Sequence, residues 1–195
     1  MKSYKIFCLL ITSLTCICAS PVKNSYVLSK DYIVTIHGTS NLHPWDEKVG
    51  SVSGDGIVNP NSDGSYDLEA INIKMEVRSI KSDKGAIMNN NTYKALKADE
   101  HPQIIFAITS PAKSVQITAI EKTLAIKGNL TIAGVTKLVN MQVKMVMQAQ
   151  GKLLFEGSQT IKMTDYNIKP PTALLGTLKT GNEITIHFKT IFALK

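Results

Sequence analysis

The 195-residue chain has little of what usually carries chemistry or covalent reinforcement. Its three cysteines, Cys8, Cys16 and Cys18, all fall within the first twenty residues. From Pro21 onward there is no disulfide, no thiolate metal site and no cysteine nucleophile, so that stretch must hold together by an ordinary core. Arginine is represented by Arg78 alone. Nucleic-acid sites draw on arginine's planar fork and on clustered basic faces. The lysines here are instead spread from Lys23 to Lys195, which excludes a nucleic-acid partner and leaves a solvated basic surface with a weak attraction for anionic headgroups. Aromatic residues make up only 6% of the chain. No later stretch is apolar for 18 residues, which excludes a spanning helix there.

What is present begins with a leader. Lys2 and Lys5 precede a largely apolar run from Ile6 to Ile17, followed by Cys18, Ala19 and Ser20. That order predicts a secretory signal peptide over residues 1–20 and a single domain over 21–195. Pro21 disfavours a cut directly before it. Ser13-Leu14-Thr15 and Thr15-Cys16-Ile17 lack the pattern that lipoprotein processing uses. Lys2 and Lys5 account for two of the 22 basic residues, leaving 20 against 15 acidic ones, a net +5 on the exported part.

Alternation of apolar and polar residues dominates that domain. Tyr32, Val34 and Ile36 alternate with polar neighbours; so do Ile71, Ile73, Met75 and Val77, and Ile104, Phe106 and Ile108. Leu124, Ile126, Leu130 and Ile132 follow, then the longest run, Val139, Met141, Val143, Met145 and Met147. Ile161 and Met163, then Ile184, Ile186 and Phe188, complete the set. Each segment has one dry face, as antiparallel strands around one interior do. Asn61–Gly64, Gln150-Gly151 and Lys179–Asn182 read as turns, and Gly128 to Gly134 as short strands tightly joined. Helical signal is confined to Met88–Ala98, with Asn89 to Asn91 offering caps and Tyr93 and Leu96 on one face, and to a short turn over Thr172–Leu175. About eight strands with one or two short helices predict an all-β barrel or sandwich.

Catalytic constellations are missing. His37, His43, His101 and His187 show no paired metal-ligand spacing, and His37 and His187 alternate with the apolar face. Ser40, Ser53 and Ser110 sit outside any nucleophile elbow, and Gly50, Gly54 and Gly56 precede no phosphate-binding helix. Asp165 reads as a strand-end carboxylate holding the following loop. No enzyme activity and no cofactor are expected. The inward methionines Met75, Met141, Met145 and Met163 suit a flexible aliphatic ligand and equally suit a filled core. An eight-stranded barrel is wide enough for either.

Four segments, in order, resemble the YceI-like family of exported bacterial lipid-binding proteins. They are His37-Gly-Thr-Ser-Asn-Leu-His-Pro-Trp45, Leu96-Lys-Ala-Asp-Glu-His-Pro-Gln-Ile-Ile-Phe106 within Met88–Phe106, Gly128-Asn-Leu-Thr-Ile-Ala-Gly-Val-Thr-Lys137, and Met163-Thr-Asp-Tyr-Asn-Ile-Lys-Pro-Pro-Thr-Ala-Leu-Leu-Gly176. The resemblance implies an eight-stranded antiparallel lipocalin-like β-barrel whose interior holds an amphiphile, a polyisoprenoid in known members, and it points to the periplasm. Gly128 and Gly134 would then permit tight bending, and Gly176 would close a loop near the mouth. Asn167 stands where a glycine is expected, and asparagine tolerates the left-handed conformation.

On that reading the positions expected to meet the ligand are Met75, Tyr93, Leu96, Ile104, Phe106, Ile108, Met141, Val143, Met145, Phe155, Met163, Ile184, Ile186 and Phe188. The expected partner is a polyisoprenoid or fatty amphiphile, carried without catalysis. Transient membrane-surface contact and a homodimer are compatible with this. The alternative is an eight-stranded outer-membrane structural barrel, which would need an apolar outer face. Lys74, Glu76, Arg78, Lys144 and Lys189 lie opposite the apolar positions and count against it.

Overall fold

The computed structural model describes residues 24–173 and 176–195. The expected signal peptide and part of the expected 172–175 turn lie outside the described residues. The strands are β1 (Ser25–Leu28), β2 (Ile33–Ser40), β3 (Trp45–Val49), β4 (Val52–Pro60), β5 (Tyr66–Glu76), β6 (Ile80–Ser82) and β7 (Gln103–Ile108). They continue with β8 (Ala112–Val115), β9 (Lys122–Ile132), β10 (Val135–Met147), β11 (Leu153–Lys162), β12 (Thr172–Ala173) and β13 (Leu178–Leu194). One helix, α1 (Ala86–Ala95), lies between β6 and β7.

Eight strands close a ring in the order β1-β4-β5-β7-β9-β10-β11-β13, and β13 returns to β1. All its pairings are antiparallel, so the expected eight-stranded barrel is present. Alternation explains the wall. On β10, Val139, Met141, Val143 and Met145 are buried, while Leu138, Asn140, Gln142 and Lys144 are exposed. The inward residues of all the long strands merge into one core.

The ring is extended at one end, where β2, β3 and β6 pair in series from β13. In effect β1 with β2, β3 with β4, and β5 with β6 are three walls that each bend midway. The bends sit side by side and are bonded to one another. The Tyr32 hydroxyl donates to Gly50 O at 2.9 Å and accepts from Val52 N at 3.1 Å. Ser79 Oγ accepts from Ser51 N at 2.9 Å and donates to Glu76 O at 2.7 Å. Two hydroxyls thus satisfy backbone groups that the broken ladders leave unpaired.

Among the described residues no further strand continues that series beyond β6; α1 lies against its edge instead. Tyr93 Oη lies 2.9 Å from both Arg78 O and Ile80 O, and Ser82 N donates to Asn89 Oδ1 at 2.8 Å. The helix therefore covers the strand edge with side chains.

Several local expectations are corrected. The helix begins at Ala86 after Gly85, whose φ is 88°, so Asn89 to Asn91 are helical residues and not caps. Lys179–Asn182 is no turn: it lies within β13, where the register with β2 shifts between Thr180 and Ile184. Gly128 is no bend either, because β9 runs straight through it in register with Val139. The tight connection is Ala133-Gly134, with φ of 48° and 79°, the paired positive values of a two-residue hairpin loop. Gly176 and Asn167 also have positive φ, 87° and 56°.

Candidate functional site

Described residues line two cavities within the barrel. The one at the α1 end has a volume of about 120 Å³, and the one toward the far end about 110 Å³. Ile186 on β13 lines both. Each is of a size that holds one small aromatic molecule in other proteins, so a long chain would need both and would displace the side chains between them.

The far cavity is lined by Met75, Phe106, Ile108, Met141, Val143, Phe155, Ile186 and Phe188 from the expected set. Leu96, Ile104, Met163, Ile184 and Ile186 line the helix-side cavity. Tyr93 and Met145 line neither. Tyr93 anchors α1 to β6, with Arg78 and Lys81 over its ring at 5.6 and 5.2 Å. Met145 is only 1% exposed and is filled core.

Glycines shape the inner wall. Trp45 lies across Gly38 on the neighbouring strand, Phe106 across Gly128, and Phe188 across Gly157; a Cβ on any of the three would overlap the ring. Three of the cavity-lining rings are therefore flattened against the wall, which keeps the bore open.

The four segments quoted from the sequence converge on the α1 end. Ser40 Oγ accepts from Leu42 N and His43 N, both at 3.1 Å, and closes the β2–β3 connection. Asn41 then ties this connection to the start of β13, donating to Thr177 O and accepting from Lys179 N, both at 2.8 Å. Thr164 and Asn182 exchange two hydrogen bonds at 3.1 and 2.9 Å. The His101 ring packs on Gly134, bringing the helix-to-β7 segment onto the β9–β10 hairpin.

Sequence reasoning missed one polar group of consequence. Glu47 is 2% exposed, lines the helix-side cavity, and bonds through Oε1 to the Thr92 hydroxyl of α1 at 2.6 Å. Burial pushes its carboxyl above the ordinary carboxylate range, and the Thr92 hydrogen bond offsets this in part. The signal was present but faint. Trp45, Glu47 and Val49 occupy alternate positions, yet β3 is five residues long and three of them are charged. Among the described residues no group of three or more His, Cys, Asp or Glu is placed to hold a metal. His37 lies on the outer face beside Asp46, at 2.8 Å.

Comparison with known proteins agrees with this architecture. The YceI-like domain family matches residues 33–192. A UPF0312 protein of Pseudomonas aeruginosa strain LESB58 is 27% identical over 114 residues, which are 55% of this chain and 60% of that protein; the match thus spans less than two thirds of the curated relative. Among solved structures, a polyisoprenoid-binding domain from Saccharophagus degradans superposes with a TM-score of 0.67 at 10% identity, covering 88% of this chain and 99% of that one. BcnA from Burkholderia cenocepacia gives 0.60 at 19% identity, covering 82% and 95%. A YceI protein from Campylobacter jejuni gives 0.57 at 17% identity, covering 76% and 84%. These structures share the fold. With its barrel, the four converging segments and a family match across most of its length, the chain belongs to the YceI-like family.

Proposed function

We propose that this protein is exported to the periplasm and there sequesters or carries a polyisoprenoid or another long-chain amphiphile in its barrel, without catalysing a reaction. The observation that carries this reading is an apolar inner wall surrounding two cavities that meet at Ile186. The leader with Lys2 and Lys5 ahead of an apolar run supports export. The polyisoprenoid-binding domain of Saccharophagus degradans, with the same fold, supports the ligand class.

Burying each methylene contributes about 0.8 kcal/mol before ordering costs, so affinity grows with chain length. The seventeen residues of β13 span about 56 Å at a strand's usual rise, or about 43 Å along a barrel axis at a usual tilt. That length suits an extended chain. The polar head lies at the α1 end, where the lining carries hydrogen-bonding side chains. A bilayer-spanning barrel would need an apolar outer band, whereas the outward residues of β10 include exposed Asn140, Gln142 and Lys144.

Purified full-length protein should release a long-chain lipid into organic solvent, identified by mass spectrometry. Protein that repeatedly yields none, and takes up none when offered a polyprenol, would rule the reading out.

A further inference from the structure

We infer that Glu47 is the head-group selector of this barrel: it admits long apolar molecules whose head is an uncharged hydrogen-bonding group, such as an alcohol, phenol or amide, and rejects phosphate and carboxylate heads. The inference rests on the reading of the interior as a lipid site and specifies the chemistry of that site's polar end.

Four observations converge on this residue. Among the described residues Glu47 is the one titratable group lining the helix-side cavity, and its neighbours there include Ile36, Ile104, Ile132 and Leu178. Its strand position faces inward between Trp45 and Val49. It takes part in none of the salt bridges formed among the described residues, which all pair other groups. Thr92 Oγ1 is its one side-chain hydrogen-bond partner among them, and that hydroxyl also reaches Met88 O at 3.2 Å.

A carboxyl has two oxygens and, when protonated, one donor. A single hydroxyl partner leaves most of that capacity open to a molecule in the cavity. Unpaired polar capacity in an apolar site is costly unless a ligand fills it, and a site of this kind discriminates strongly between heads that pair with it and heads that do not. An alcohol or amide can donate to one carboxyl oxygen or accept its proton, so it pairs with Glu47 in either protonation state. A phosphate would place a second anion beside a carboxyl already removed from water, where like charges repel with little screening. The lysines outside the barrel attract anions to the surface, but among the described residues no cation lines this cavity. A buried acid without a cation is poorly made for an anionic head and well made for a neutral one.

The test loads delipidated full-length protein with solanesol or with solanesyl phosphate from the same detergent, and quantifies retained lipid by mass spectrometry after gel filtration. The unmodified protein is expected to retain the alcohol over the phosphate by about tenfold or more, a ratio equivalent to at least about 1.4 kcal/mol. Glu47→Gln keeps the shape and removes the charge, so the preference should shrink severalfold while solanesol still loads. Equal or greater retention of the phosphate by the unmodified protein would overturn the inference, whatever the variant does. So would a Glu47→Gln protein that loads and keeps the full preference. Failure of the unmodified protein to load either lipid would instead remove the lipid-site reading on which the inference depends.

Discussion

Gly38, Gly128 and Gly157 each lack a side chain where an aromatic ring from the next strand lies across the backbone. At Gly128 an added Cβ would meet both the Phe106 ring and, at 2.8 Å, Ala107 O. Backbone cannot yield as a side chain can. Gly128→Ala should therefore cost about 1–3 kcal/mol in denaturant unfolding and push the Phe106 ring into the far cavity. Adding Phe106→Leu should recover part of the loss. Glu47 makes a different kind of prediction. Its folded pKa lies above the ordinary 4.5, so its contribution to stability is fully present below that value and is lost as pH rises through the folded one. Thermal melts from pH 4 upward should fall more steeply for the unmodified protein than for Glu47→Gln, and the variant should melt higher at neutral pH. Melts that run parallel would show that burial of this carboxyl carries no linkage.

At the scale of elements, alternation was legible in β5, β7, β9 and β10 and in parts of β2 and β13, but not in β4, whose nine residues include Gly54 and Gly56. The β10 pattern shows the inward set directly, and so does β13 from Ile184 to Phe188. Short or interrupted elements were not legible. β3 has room for only three inward positions, and one of them is an acid, so its alternation was not read. Gly128 was misread because a glycine that makes room for a neighbouring ring looks, in sequence, like one that turns the chain. Helix α1 escaped accurate placement for another reason. Its asparagines are weak helix formers, and Asn89 is spent on Ser82 of β6, a tertiary bond that no local pattern encodes. Tyr93→Phe tests how the helix is held. It keeps the ring beside Arg78 and Lys81 and removes the hydroxyl contacts with Arg78 O and Ile80 O. Amide exchange in α1 and β6 should accelerate, with a global stability loss of about 1 kcal/mol. Unchanged exchange would mean that the Tyr93 hydroxyl does not seat the helix.

Over the whole molecule, the barrel has a continuous wall on one side and a bent wall on the other, and its two cavities fall on either side of Ile186. Alternating runs alone left barrel and sandwich open, and the closed ring was implied by the family resemblance; strand order and the division of the interior were not legible, the latter because it depends on which rotamers meet at the centre. Ile186→Trp would put a bulky ring at that junction. The variant is expected to lose loading of a long polyprenol while still accepting a short-chain fatty alcohol, measured by the same extraction and mass spectrometry. Undiminished loading of the long chain would mean that the chain does not pass the junction.

The edge of β6 is closed by side chains of α1, and for a ligand passing beneath that helix this separates speed from strength. The contacts from Tyr93 and Asn89 to β6 involve groups outside both cavity linings. Weakening them raises the energy of the filled and empty closed forms alike, so the dissociation constant stays nearly constant while capture and release both quicken. Residence time can then be altered at Tyr93 and Asn89 while affinity stays with the inner wall and with the lining residues of α1, among them Met88, Asn91, Thr92 and Ala95.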